Sequence, residues 1–270
     1  MPAETPSSAE IADQDRAYER AVLAARGEPA LRRVVMDSFL QKDVTEALDA
    51  FRASEHFARI RRLLRTSGVT PGGRVLDFGG GRGLVAAALS AEGYTATLWE
   101  PNRSPVCGSG AAERLREQSG LHFEVAAAPP TGEEPFDAVV CRSVLHHIEE
   151  PVEELSRLRE LLVPGGALVA SDEPTIRRES ELPALRQGHP FVPFGVEETA
   201  YTVGEYLSFL ERAGFTRTRA LFPVAFSDYR RLLRPRSPLP TALLLYLRYR
   251  LRSRLRPAPG QACSLVALGD

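Results

Sequence analysis

Apolar residues over the first 66 positions recur at three- and four-residue steps, as in Leu48, Phe51, Phe57, Ile60 and Leu64, with charged residues between them. That spacing places them on one face of amphipathic helices, and no strand-like run interrupts it. From Thr70-Pro71-Gly72-Gly73 the texture changes to short β-branched or aromatic runs at 74–78, 94–99, 121–125, 136–141 and 167–172. Helix-like stretches near 83–92, 110–118, 151–162 and 203–213 lie between or after them. Nearly continuous apolar strands alternating with helices predict a parallel sheet covered on both faces. A last strand-like run occupies 261–269.

This pattern divides the chain into a helical extension or lid (1–68), an α/β core (69–225), and a basic helical insertion with a closing strand (226–270). The 270 residues, 43% of them hydrophobic, are enough for one substantial core. Formal charge is −1, from 34 basic and 35 acidic residues, which excludes a broadly basic nucleic-acid binder. The sum conceals an asymmetry. Nine arginines and no acid lie between Tyr229 and Gly269, leaving about −10 on the remainder. Leu243, Leu247, Leu251 and Leu255 form an apolar stripe among those arginines, so a helix over 241–256 is expected to pack on its own protein or on a second copy in a homodimer. A membrane surface or an RNA backbone is the alternative partner. Cys107, Cys141 and Cys263 are too few and too far apart for a disulfide framework or a zinc site. With no signal-peptide pattern and no apolar stretch of bilayer length, the expected location is cytoplasmic.

Candidate chemistry concentrates in Val75-Leu76-Asp77-Phe78-Gly79-Gly80-Gly81-Arg82-Gly83. A strand ends in an acid, turns through closely spaced glycines and enters a helix, the arrangement in which backbone approaches a ligand at the carboxyl edge of a doubly wound sheet. A GxGxxG dinucleotide pattern can be laid on Gly81-Arg82-Gly83-Leu84-Val85-Ala86, and this keeps a nicotinamide oxidoreductase open as an alternative. The acid at Asp77 repels a pyrophosphate and attracts an ammonium group, which favours a zwitterionic, cationic cofactor.

These residues resemble the first motif of the class I methyltransferases that use S-adenosylmethionine. The resemblance extends over about 70–215. It implies a Rossmann-like, doubly wound seven-stranded sheet with its last strand antiparallel, and S-adenosylmethionine lying over Phe78, Gly79, Gly81 and Gly83. Glu100 matches the acid that holds the ribose hydroxyls and Pro101 the residue against adenine. Phe136 to Cys141 matches the fourth strand, with Cys141 at the cofactor's edge. Leu162-Val163-Pro164-Gly165-Gly166 and Ala213-Gly214-Phe215 match later turns. One departure stands out: many relatives carry Gly-Asp-Ala after the third strand, whereas this chain has Ala126-Ala127-Ala128, so Ala126 and Ala127 offer adenine only backbone groups.

The segment Arg142-Ser143-Val144-Leu145-His146-His147-Ile148 is similar to the one bordering the methyl group in quinone-biosynthetic and related small-molecule enzymes. It implies methyl transfer to a small-molecule acceptor, most simply a hydroxyl, with His147 as base and His146 as its rival. Some relatives hold a divalent metal here through acids. Ser143 and His146 stand in those places, so no metal is expected. Arg142, Glu173, His189 and Tyr201 are the candidate acceptor contacts. The long loop to Tyr201, with Phe191, Phe194, Glu197 and Glu198, is a candidate lid, and the helices bearing Tyr18, Phe51, His56 and Phe57 are expected to fold over the cofactor. The Pro-Cys nucleophile and the DPPY-like loop of nucleic-acid methyltransferases are absent, which counts against nucleic-acid bases. A non-catalytic binding module built around the basic tail is the remaining alternative.

Overall fold

Strands β1 (Arg74–Phe78), β2 (Thr95–Trp99), β3 (Glu124–Val125), β4 (Phe136–Arg142), β5 (Leu162–Thr175), β6 (Arg217–Leu221) and β7 (Gln261–Leu268) form one sheet in the order β3-β2-β1-β4-β5-β7-β6. They belong to a computed structural model that describes residues 8–29, 31–35, 38–131, 134–221, 244, 247 and 261–269. Strands β1 to β5 pair in parallel, and β7 lies antiparallel between β5 and β6. The parallel part is the sheet anticipated from the alternating pattern, and the seven-strand count with an antiparallel last strand is what the resemblance implies; β6 lies outside the predicted strand-like runs. The largest differences from the expected runs are that β3 is only two residues long and that β5 extends at both ends, from Leu162, where the Val163-Pro164-Gly165-Gly166 turn is absorbed into its entry, to Thr175. The order reverses between β1 and β4, so their carboxyl ends frame the crevice in which such sheets bind ligands.

The helical front comprises α1 (Ser8–Gly27), α2 (Arg32–Val35), α3 (Val44–Arg52) and α4 (Glu55–Thr66). Asp43 caps α3 by accepting the Thr45 and Glu46 N–H groups, and Ser54 caps α4 through the Phe57 N–H. The periodic residues Leu48, Phe51, Phe57, Ile60 and Leu64 are all buried, in one core with α5 (Leu84–Ser90) and α6 (Ser109–Ser119). On the sheet's other face, α7 (Pro151–Glu160) and α9 (Val203–Arg212) bury Leu155, Leu158, Tyr206 and Leu210. A third cluster joins Ala17, Ala21, Val22 and Ala25 of α1 to Cys107, Phe191 and Val196, so α1 packs on the loop that precedes α9. Helix α8 (Leu182–Gly188) interrupts that loop. All three cysteines are free and buried. Most of the proposed basic helix lies outside the described residues; Leu244 and Leu247 are described, helical and exposed.

The helical front is fixed to the sheet by one buried ion cluster. Asp172, at the carboxyl end of β5, accepts from His56 Nδ1 at 2.7 Å, Arg59 Nη1 at 2.6 Å and Arg142 Nε at 3.0 Å. These partners hold its carboxyl well below the usual carboxylate range despite its burial. Arg142 also donates to Ser38 Oγ at 2.5 Å and lies over the Phe51 ring. Replacing Asp172 by Asn leaves three cationic or ionisable partners around an uncharged amide. Breaking a buried pair in this way costs about 3 kcal/mol, and urea denaturation of D172N at neutral pH is expected to show that loss. Because the folded-state pKa is depressed, the stabilisation is present above the unfolded value of about 4. The gap between wild type and D172N therefore narrows as pH falls below about 4.

Candidate functional site

Strand β1 delivers Asp77 to the base of the glycine turn, where it has no exposed surface. Its Oδ2 accepts the Ala86 N–H at 3.0 Å in the first turn of α5, while Oδ1 is buried without a partner. Burial, reinforced by the nearby Glu100, pushes its pKa up to about 7 against the Ala86 hydrogen bond. Above it, Gly79, Gly81 and Gly83 all have positive φ. A side chain on Gly80 would place Cβ 2.3 Å from the Asp77 carboxyl carbon. The loop is thus folded tightly onto its own acid, and the Gly79 N–H donates to the Trp99 carbonyl at the end of β2.

Glu100 follows β2 and closes the other side of the crevice. Its Oε2 accepts the Gly81 N–H at 2.8 Å and its Oε1 the Asn102 N–H at 2.8 Å. Burial outweighs these two bonds and raises its pKa to about 7. Pro101 and Ala127 are exposed, and the Ala126 N–H is committed to the Leu98 carbonyl at 2.8 Å. Only part of the backbone after β3 remains free to meet a base.

Strand β4 ends in the histidine turn. Val144 packs on the glycine loop so closely that a Cβ on Gly79 would come within 3.0 Å of it, which places the two segments side by side. Glu173, fully buried, accepts the backbone N–H groups of Val144 and Leu145 at 2.9 and 3.2 Å through one oxygen. Its other oxygen meets the His146 N–H at 3.3 Å and His146 Nδ1 at 2.8 Å. His146 is buried; the His147 ring, 3.9 Å from it between centroids, has exposed surface although protein surrounds it on most sides, as befits a residue lining a cleft. That enclosure, with the His146 and His189 rings nearby, depresses the His147 pKa to about 3, against a hydrogen bond to the Glu197 backbone.

The loop after α8 completes this wall. Glu198 is buried, with Oε2 3.7 Å from His146 Nε2 and Oε1 3.4 Å from His189 Nδ1. Ligand atoms of His146, His147 and Glu198 lie within 4.8 Å of one another, a spacing that matches a three-ligand metal site. Glu198 comes from the loop between α8 and α9, far along the chain from Ser143 and His146.

Several residues singled out from sequence serve other purposes. Phe78 stacks on Trp99 at 4.8 Å and Cys141 is sealed in the core, so neither side chain lines the crevice. Asp77 braces the loop from beneath instead of facing an open cleft. Arg142 is occupied by Asp172 and Ser38, and Glu173 by the histidine turn, so neither is free for an acceptor. The Tyr201 ring packs on Tyr206 and Phe209 of α9. Among the named contacts His189 is brought to the cluster. Arg82 went unnoticed. It is buried and donates from Nη1 to the Ser38 and Gln41 carbonyls at 3.0 and 2.9 Å, fastening the segment before α3 to the glycine loop. An arginine inside a glycine run was the signal available.

The profile of the methyltransferase domain family matches residues 44–219. Among curated relatives, the ubiquinone biosynthesis O-methyltransferase of Caulobacter sp. (strain K31) is 32% identical over 114 residues, covering 39% of this chain and 43% of that protein. The protein of the same name from Cereibacter sphaeroides (strain ATCC 17029 / ATH 2.4.9) is 37% identical over 105 residues, covering 36% of this chain and 40% of its own. The chain thus spans under half the length of these relatives. Magnesium protoporphyrin IX methyltransferase from Synechocystis PCC 6803, solved with bound SAH, shares the fold at a TM-score of 0.50 and 16% identity, covering 85% of this chain and 89% of that one. YcgJ from Bacillus subtilis shares it at 0.51 and 14%, covering 80% and 99%.

Gly80 offers a direct check on the loop. Substituting Ala forces Cβ into the buried Asp77 carboxyl, an overpacking that costs at least about 2 kcal/mol. G80A is expected to lose that much stability by chemical denaturation, whereas G120A, where the built Cβ meets nothing within 4 Å, carries only the cost of its positive φ.

Proposed function

The chain belongs to the methyltransferase domain family, in its class I, S-adenosylmethionine-dependent branch, and from that premise we propose that it methylates a hydroxyl of a small-molecule acceptor in a biosynthetic pathway. The observation that carries this reading is the juxtaposition of the glycine loop, Glu100 and the histidine turn across one crevice, joined by the Val144–Gly79 contact.

The residues present fit the cofactor. The Asp77 carboxyl, sealed beneath the loop with Oδ1 unpartnered, favours a cationic guest through its field and not by contact, and Glu100 keeps lone pairs for a diol beyond its two backbone donors. When bound, S-adenosylmethionine supplies an electrophilic methyl group on a sulfonium. Phe78, Gly79, Gly81 and Gly83 would present backbone to it, and Pro101, Ala126 and Ala127 would border its base. Only the side-chain acceptor for the adenine amino group is missing.

His147 meets the acceptor. One ring nitrogen engages the Glu197 backbone, so the neutral ring keeps a lone pair on the other for the acceptor's hydroxyl. A ring whose pKa is pushed down to about 3 orients that hydroxyl without retaining its proton at neutral pH. The His189 loop and α1 wall this side of the crevice. The lid, closing-helix, homodimer and membrane-surface readings of the flanking segments belong to this proposal only as candidates for acceptor delivery; no helix among the described residues is long and apolar enough to cross a membrane.

A mass-shift screen over hydroxylated metabolites, with S-adenosylhomocysteine release as a second readout, is expected to find a product one methylene heavier. Failure of calorimetry to detect S-adenosylmethionine binding, or displacement of the donor by NADH, would overturn the reading. Glu100 provides the pH signature. Diol donors favour its ionised form, so affinity is present above its free-state pKa of about 7 and lost as pH falls through it. Binding is expected to tighten roughly tenfold from about pH 6 to about pH 8. E100Q should bind more weakly and with a shallower slope, the remainder coming from Asp77.

A further inference from the structure

Glu198 is a buried carboxylate facing lone pairs. His146 gives its Nδ1 hydrogen to Glu173, so in the neutral ring Nε2, 3.7 Å from Glu198 Oε2, carries none. His189 Nδ1 accepts the Phe191 N–H at 3.4 Å, so the nitrogen 3.4 Å from Glu198 Oε1 is also bare when the ring is neutral. Among the described residues, no other hydrogen-bond donor is found on that carboxylate. The residue is largely buried, yet its oxygens are not sealed from solvent, so a guest's donor can reach them and replace water there. His147 stands beside it on the cleft side, and Tyr18 of α1 is close enough to feel its charge.

We propose that Glu198, in place of His147, is the catalytic group that accepts the acceptor's O–H hydrogen bond and takes its proton, with His146, fixed by Glu173, as the positioning residue beside it. This rests on the hydroxyl-methylation reading above. As the acceptor's O–H bond breaks, the proton goes to Glu198 and the oxygen's electron pair forms the bond to the methyl carbon. The C–S pair stays on sulfur. One positive and one negative charge vanish together, leaving an ether, a thioether and a neutral carboxylic acid. The proton then stays on Glu198, whose Oε2 lies 3.7 Å from the Nε2 of His146. Burial, opposed only by His146, raises the Glu198 pKa to about 7, suited to a proton acceptor at neutral pH.

Infrared spectroscopy tests this on the protein alone. Asp77 and Glu100 absorb in the same window, so the test is the wild-type minus E198Q difference spectrum: one carboxylic-acid C=O band titrating near pH 7 is expected in it, with E198D restoring a shifted band should E198Q fail to fold. Identical wild-type and E198Q spectra would overturn the proposal. With the acceptor returned by the mass-shift screen, E198Q is expected to lose about a hundredfold or more in kcat together with the acid limb of the pH profile, while S-adenosylmethionine affinity by calorimetry stays within about twofold. Turnover within twofold of wild type overturns the proposal. So does activity abolished by a chelator and restored by Mg2+ or Mn2+, which would make His146, His147 and Glu198 a cation site. Loss of donor binding in wild type would instead sink the methyl-transfer reading, and the infrared result would still judge Glu198.

Discussion

Two adjacent acids at the end of β5 hold the site together by facing opposite ways. Asp172 gathers His56 and Arg59 from α4 and Arg142 from β4. Glu173 gathers three backbone N–H groups and one ring nitrogen of the histidine turn. The chain achieves this by departing from regular strand geometry there: the β5–β7 register shifts between Ala170 and Glu173, and both Asp172 and Ser143 adopt positive φ. Such conformations cost of order 1 kcal/mol or more each, and persist only where surrounding contacts over-determine them. Here the ion cluster on one side and the carboxylate cradle on the other do so. A change at either acid would therefore be felt in the helical front and in the histidine turn.

Arg82 makes the second tie. Its guanidinium is buried, pushed down to about 10 by desolvation, and is satisfied in part by the Ser38 and Gln41 carbonyls. It fastens the segment before α3 to the loop that Asp77 braces from below. Ser38 also receives Arg142, so one short stretch bridges the cofactor loop and the Asp172 cluster. The helical front is thus coupled to both halves of the crevice through polar contacts, while its apolar faces supply the packing.

Much of this was legible in sequence, unevenly and for physical reasons. Strands β1, β2, β4 and β5 declared themselves because strands buried on both faces must be apolar throughout, and Leu48 to Leu64 because a helix repeats its buried face every three or four residues. The glycine run was legible since local backbone demands, unlike tertiary contacts, are written in consecutive residues. What stayed hidden was convergence. Arg142 and Glu173 were correctly placed at strand ends, but strand ends do not reveal whether a side chain is already engaged. Glu198 was visible only as an acid in a long loop; its meeting with His146 depends on α1 packing against that loop through Val22, Phe191 and neighbouring apolar residues.

Electrostatics explains why so many acids can share this crevice. Asp77, Glu100 and Glu198 are each raised to about 7, chiefly by burial, so near neutral pH the unliganded protein carries them partly protonated. Asp172, by contrast, is fully paid in cations and stays ionised. The separation is functional in consequence: the ionised acid secures the scaffold, and the three partly neutral ones leave negative charge available where a sulfonium and an ammonium are proposed to arrive. A cationic guest favours ionisation of the carboxylates nearest it, since each gains Coulomb energy in a medium less polar than water. On this reading the donor readies its own receptor. An anionic dinucleotide would do the reverse, driving the same acids to protonate, which gives the preference for the methyl donor a physical basis independent of the motif.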